Sequence, residues 1–191
     1  MKRYNQIADF FFELSVLKKI PRTGSLVAGI KNPDTVAEHV FRTTEIAFVL
    51  ADLMGADPFR TAFMASIHDN GEARIMDHHK IMSRYLDKGE AEERAFLDQI
   101  QKLPRGIAKR FKEAFLELQE CKTLEAICAH DADLLELAFQ SKEFLEQGYL
   151  AKQGWLDNIE MHLTTDVARG IFEAIKNKSY NDWWIDLKRV D

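Results

Sequence analysis

His68-Asp69-Asn70-Gly71-Glu72-Ala73-Arg74 is the stretch on which the reading of this chain turns. It joins an imidazole to a carboxylate at the end of an apolar helical run and sets a second carboxylate, Glu72, three residues further on. Nitrogen and oxygen ligands of this kind suit divalent Mn, Fe, Co, Ni or Zn. A carboxylate beside them stands where a general acid or base would act on water. The dipeptide alone carries little weight, because 6 His and 15 Asp in 191 residues give about 0.5 His-Asp pairs by chance, and a second pair, His130-Asp131, is present. Composition therefore also allows a packing histidine and a helix-terminal acid. An acid at a helix C-terminus opposes the helix dipole, so Asp69 costs stability unless a cation compensates it.

Upstream, Asp57-Pro58 supplies an N-cap and a first-turn proline for the helix that runs to about His68. Before it, Thr35 and Glu38 have the capping-box spacing and open a helix that carries His39 and closes near Gly55. Its buried positions are Val36, Val40, Ala47, Leu50 and Leu53. Residues 20–34, with Pro21, Gly24, Gly29 and Pro33, form a loop that follows a first helix patterned by Ile7, Phe10, Phe11, Leu14 and Leu17. The Phe10-Phe11-Phe12 run is core with one exposed ring. Downstream, residues 70–89 are irregular with at most short helical turns, and helices follow over 90–102, 104–120, 123–147 and 156–177. Asp133 falls on the long helix over 123–147. No alternating strand pattern or hairpin turn pair occurs, so the fold class is all-α, a helical bundle in a single domain over 1–191.

Lys and Arg number 26 against 31 Asp and Glu, and the net charge of -5 provides no basic field for nucleic acid. The basic start at Lys2 and Arg3 meets Asp9 where a signal peptide would be apolar, and charges break every run that could cross a membrane. Cys121 and Cys128 lie seven apart on what reads as one helix, about 10 Å along its axis, too far to bridge. They read as reduced, buried thiols of a cytoplasmic protein.

Five blocks in order resemble the HD-domain metal-dependent phosphohydrolases, and more closely their 5'-deoxynucleotidase branch, over about residues 7–186. They are Leu17-Lys18-Lys19-Ile20-Pro21-Arg22-Thr23-Gly24, Thr35-Val36-Ala37-Glu38-His39-Val40-Phe41-Arg42, His68 through Arg74, Ala132-Asp133-Leu134-Leu135-Glu136, and Asp182-Trp183-Trp184. The resemblance implies an HD-domain bundle with one divalent metal ion (Co, Mn, Zn, Ni or Fe) on His39, His68, Asp69 and Asp133. It implies Glu72 as the proton-transfer residue, Arg22 on the phosphate, and Asp77 on the sugar or a bridging water. The implied reaction is hydrolysis of a deoxynucleoside 5'-monophosphate to nucleoside and phosphate, by a homodimer. A guanidinium suits the phosphate because its planar fork binds two oxygens at once.

The chain departs from that branch at three places. The run Thr23-Gly24-Ser25-Leu26 lacks the aromatic that follows the arginine in close relatives and helps exclude a ribose 2'-hydroxyl. Asn70-Gly71 stands where an apolar-Pro pair is usual, and Met76-Asp77 where Gly-Asp is usual. Met at a tight backbone position either forces a different turn or fills part of the pocket. Two-metal relatives add histidines before the last aspartate, an interval that here holds His78, His79 and His130. Adjacent His78 and His79 would point about 100° apart on a helix, awkward for one ion. His130, three residues from Asp133, is either behind the metal or a packing histidine. The alternatives left open are another phosphoester, a diiron oxygenase or a non-catalytic binding module.

Overall fold

Thr35 and Glu38 cap each other as their spacing predicts: Thr35 Oγ1 accepts from the Glu38 N–H at 3.3 Å, and Glu38 Oε2 accepts from the Thr35 N–H at 2.6 Å. This box fixes where the His39 helix begins, and so the direction in which His39 projects. In the computed structural model, which describes residues 1–185 and 187, that helix is α3 (Val36–Met54), preceded by α1 (Lys2–Leu14) and α2 (Thr23–Val27). It is followed by α4 (Pro58–Ile67), α5 (Glu72–Ile75), α6 (Lys88–Ile100), α7 (Arg105–Glu120), α8 (Leu124–Glu146), α9 (Gln153–Glu160), α10 (Asp166–Asn177) and α11 (Asp182–Ile185). Among the described residues there is no strand, only an isolated bridge between Pro21 and Thr35, so the all-α expectation is met.

α8 is the central element and packs on α3, α4, α7, α9 and α10. One side of it joins a core of Leu50, Leu135, Leu156, Leu163 and Phe172. The other joins Phe10, Met64, Phe96 and Phe115, with the Phe96 and Phe115 rings stacked at 4.2 Å. Between these two cores lie Ala47, Ala65 and Ala132, fully buried on α3, α4 and α8. Small side chains let the three helices that carry or end at His39, His68 and Asp133 approach closely.

Several sequence expectations need correction. The segment 20–34 holds α2, short enough to escape a periodicity test. The helix expected over 156–177 is two helices, α9 and α10, because the buried Asp131 carboxylate of α8 accepts from the Thr164 and Thr165 N–H groups at 2.9 and 2.8 Å. Thr165 then caps α10. Cys121 and Cys128 do not share a helix: Cys121 ends α7 in a left-handed conformation (φ 48°) and is exposed, while Cys128 is buried on α8. Leu53 is exposed rather than buried, and two rings of the phenylalanine run, Phe11 and Phe12, face outward. His130 is exposed, which leaves it no place behind His39, His68, Asp69 and Asp133. Of the expected domain 1–191, residues 186 and 188–191 lie outside the described residues, as does residue 186 at the end of the resembling span.

Candidate metal centre and cavity

The four residues proposed as ligands come from three helix segments and meet at one point. His39 Nε2 lies 3.3 Å from His68 Nε2, 3.1 Å from Asp133 Oδ1 and 3.7 Å from Asp69 Oδ2. His68 Nε2 lies 3.2 Å from Asp69 Oδ2 and 3.9 Å from Asp133 Oδ1. Ligand bonds of about 2.1 Å put neighbouring donors about 3.0 Å apart on an octahedral ion and about 3.4 Å apart on a tetrahedral one. The separations seen here, 3.1–3.9 Å, begin just above the octahedral value and span the tetrahedral one.

Hydrogen bonding settles which ring nitrogens face the cluster. His68 Nδ1 donates to the Ala65 carbonyl at 2.6 Å, and His39 Nδ1 donates to the Glu136 carboxylate. With both Nδ1 atoms used as donors, the neutral rings turn two Nε2 lone pairs toward each other and toward two carboxylates. Four converging acceptors repel one another unless a cation stands among them, so the residues present fit a divalent ion. Without one, protons do the compensating. Burial and the Arg22 charge would lower the His39 imidazole, but hydrogen bonds to Asp133 and Glu136 raise it to about 10. Burial would raise Asp133, but its hydrogen bond to His39 and the imidazole charges hold it well below the usual carboxylate range.

Glu136 is a candidate site residue that spacing did not reveal. It is buried, and besides His39 Nδ1 it takes Arg42 Nε at 3.0 Å and Nη2 at 2.8 Å, both on Oε1. A carboxylate behind a ligating histidine fixes its tautomer and raises its basicity. The signal was present in the two i, i+3 pairs, His39 with Arg42 and Asp133 with Glu136, which bring the four residues onto facing turns of α3 and α8.

Glu72 is fully buried at the start of α5, with Oε1 3.2 Å from Lys88 Nζ. Burial, with the Asp69 charge adding to it, pushes the Glu72 carboxyl up to about 8. Gly71 makes this placement possible, since a Cβ there would stand 2.9 Å from the Glu92 backbone oxygen of α6. Arg22 Nη1 contacts Asp69 Oδ2 at 3.3 Å and Asp77 Oδ1 at 3.2 Å. Asp77 also accepts from the Thr23 N–H and, at 2.6 Å, from Thr23 Oγ1, so it ties α2 to the segment after α5. Met76 just before it has φ 69° and ψ 167°, a glycine-like backbone that costs a side-chain-bearing residue about 1–3 kcal/mol. Its side chain is half-exposed and does not line the cavity, so Met76 takes a backbone conformation that suits glycine and does not fill the pocket.

That cavity, about 540 Å³, opens beside Arg22 and Asp77. Its walls include Leu134, Leu137, Ile159 and Trp155, with Gln140, Asn158, His78 and His79 as polar groups. It has the size and mixed lining of a small-molecule site. Trp155 of α9 rests on Gly24 so closely that a Cβ would meet the ring at 2.3 Å. An aromatic thus packs on Gly24 and lines the same cavity as Arg22 although residues 23–26 carry none. His78 and His79 line this cavity and belong to neither of the groups that could hold a metal among the described residues, His39-His68-Asp69 and Asp69-Glu72-Glu92. No described helix is long and apolar enough to cross a membrane.

Comparison with known proteins agrees with this geometry. The chain is 28% identical over 174 residues to the 5'-deoxynucleotidase HDDC2 of Dictyostelium discoideum, covering 86% of this chain and 88% of the relative. It is 31% identical over 144 residues to the 5'-deoxynucleotidase hdd1 of Schizosaccharomyces pombe, covering 72% of each. A conserved hypothetical protein from Pyrococcus furiosus superposes with a TM-score of 0.75 at 30% identity, over 90% of this chain and 99% of that one. The HD domain family matches residues 14–176, most of the chain. With its histidines and aspartates converging on a metal position, this chain belongs to the HD-domain family and is a metal-dependent phosphohydrolase of that family.

Proposed function

We propose that the chain hydrolyses deoxynucleoside 5'-monophosphates to nucleoside and inorganic phosphate, with one divalent ion, Co, Mn, Zn, Ni or Fe, held by His39, His68, Asp69 and Asp133. The observation that carries this reading is the position of Arg22, which touches the metal-ligand carboxylate Asp69 on one side and the cavity on the other. A phosphate gripped there has its nucleoside in a cavity of nucleotide size. Two relatives named 5'-deoxynucleotidase support the same substrate class.

The bound ion supplies Lewis-acid charge at the phosphate and lowers the pKa of water at the site. The ionised carboxylate of Glu72 takes the proton of the attacking water, and burial, which raises its pKa to about 8, makes that carboxylate a stronger base than an exposed glutamate. Water adds to phosphorus as the bond to the sugar 5'-oxygen breaks, and the proton taken from the water is returned to that oxygen, giving nucleoside and inorganic phosphate. Arg22 neutralises charge on the transferred phosphoryl oxygens, and Asp77, with Thr23, holds Arg22 in line. Trp155 against Gly24 narrows the cavity beside the sugar and supplies the bulk that favours deoxyribose. The expected homodimer would use exposed apolar side chains such as those of Phe41, Val49 and Phe59.

The test is phosphate release over a panel of deoxyribo- and ribonucleoside 5'-monophosphates, using metal-stripped protein resupplied with Co or Mn and Arg22→Ala as control. Preference for the deoxy set, lost in Arg22→Ala, is expected. Equal release from both sets would overturn the sugar assignment, and release unaffected by Arg22→Ala would overturn the phosphate assignment.

A further inference from the structure

Glu72 and Glu92 face each other across the start of α6, and Lys88 enters between them. Its Nζ lies 3.2 Å from Glu72 Oε1 and 2.9 Å from Glu92 Oε1. Glu72 is fully buried, and its second oxygen, Oε2, has no hydrogen-bond partner. Asp69 completes the group: one oxygen from each of Asp69, Glu72 and Glu92 lies within 4.8 Å of the other two. On a six-coordinate ion with bonds of about 2.1 Å, adjacent donors stand about 3.0 Å apart and opposite ones about 4.2 Å apart. Three carboxylate oxygens no more than 4.8 Å apart come within reach of one divalent cation after small side-chain shifts. Asp69 is common to this group and to the His39-His68 group. A carboxylate shared by two adjacent cation positions is the layout of a two-metal centre, where the ions lie about 3.5–4 Å apart.

We infer that the Lys88 ammonium is a tethered cation occupying the second position of this centre, and that it keeps the enzyme at one metal ion per chain over a latent Asp69-Glu72-Glu92 divalent site. The side chain reaches in from the rim on a flexible stem and is 30% exposed. Because it is covalently attached, a free ion must displace a cation present at high effective concentration. The inference rests on the reading of His39, His68, Asp69 and Asp133 as ligands of the first ion.

Elemental analysis after equilibrium dialysis against Mn(II) tests it, with the electron paramagnetic resonance spectrum as a second readout. Wild type and Lys88→Arg should hold one ion per chain. Lys88→Gln should hold two, with its spectrum changing from that of isolated ions to an exchange-coupled pair. Lys88→Gln combined with Glu92→Gln should return to one ion. Two ions in wild type, a result that needs no variant to fold, would overturn the inference. So would one ion in a Lys88→Gln protein with wild-type circular dichroism. No ion in wild type would instead overturn the first-site reading beneath it, as would retention of that ion in His68→Ala.

Discussion

Glu136→Gln isolates the support behind the metal centre, because it keeps the shape of the side chain and removes its charge. In the structure one carboxylate serves two donors on opposite sides: Oε2 accepts from His39 Nδ1, and Oε1 accepts from Arg42 Nε and Nη2. An amide cannot do both. If its oxygen faces His39, its NH₂ group points at the Arg42 guanidinium, donor against donor; if it flips, the His39 N–H loses its acceptor. Losing one charge-assisted hydrogen bond in a buried site costs about 1.5–3 kcal/mol. At 1.4 kcal/mol per decade that is a loss of about 10–100-fold in metal affinity, the range typical of partners behind a ligating histidine. Competition with a fluorescent chelator for Co or Mn measures it. Glu143→Gln is the control, since Glu143 touches Arg42 Nη1 from the partly exposed side and has no contact with His39. Affinity within twofold of wild type in Glu136→Gln, or an equal loss in Glu143→Gln, would refute the reasoning.

Two further predictions concern stability. Lys152 is fully buried, with Nζ 3.0 Å from Ser25 Oγ and 3.8 Å over the Trp155 ring, and burial pushes it down to about 8 from 10.5. Between those pH values the unfolded chain binds more protons than the folded one, so this lysine makes stability rise with pH, by about 3 kcal/mol in all. Urea denaturation across pH 7.5–10.5 should show that rise in wild type relative to Lys152→Met; parallel curves would refute it. Gly71 has φ -58°, which alanine adopts freely, so Gly71→Ala tests only the 2.9 Å approach to the Glu92 oxygen. It should destabilise by about 1–3 kcal/mol, lowering Tm by about 2–4 °C for each kcal/mol. An unchanged or higher Tm would remove the close contact from the account.

What the sequence disclosed and what it hid follow from the range of the interactions involved. The helices that carry His39 and lead to His68 were legible from local signals, the Thr35-Glu38 box and the Asp57-Pro58 cap, while the choice of these residues with Asp133 as one set came from the resemblance. Once the phases are set, the three alanines at 47, 65 and 132 bring those phases together. The break between α9 and α10 was hidden because Leu156, Ile159, Leu163 and Val167 continue a helical period straight through it. The cause is Asp131, a buried acid on another helix. Trp155 on Gly24 and Lys88 beside Glu72 were hidden for the same reason, since each meets its partner only after the helices pack. Met76 shows the converse: its departure from glycine was visible, but only the backbone shows that it adopts a glycine-like conformation there.

The central claim is that a divalent ion held at His39, His68, Asp69 and Asp133 acts with the buried carboxyl of Glu72 on a 5'-phosphomonoester. Phosphate release from a deoxynucleoside 5'-monophosphate by wild type and Glu72→Gln, with metal content determined on the same samples, tests it most directly. The account predicts release by wild type only when the ion is resupplied, and equal metal content in Glu72→Gln with turnover lower by about 10²–10⁴-fold. Equal turnover in Glu72→Gln, or undiminished release by metal-stripped wild type, would contradict it.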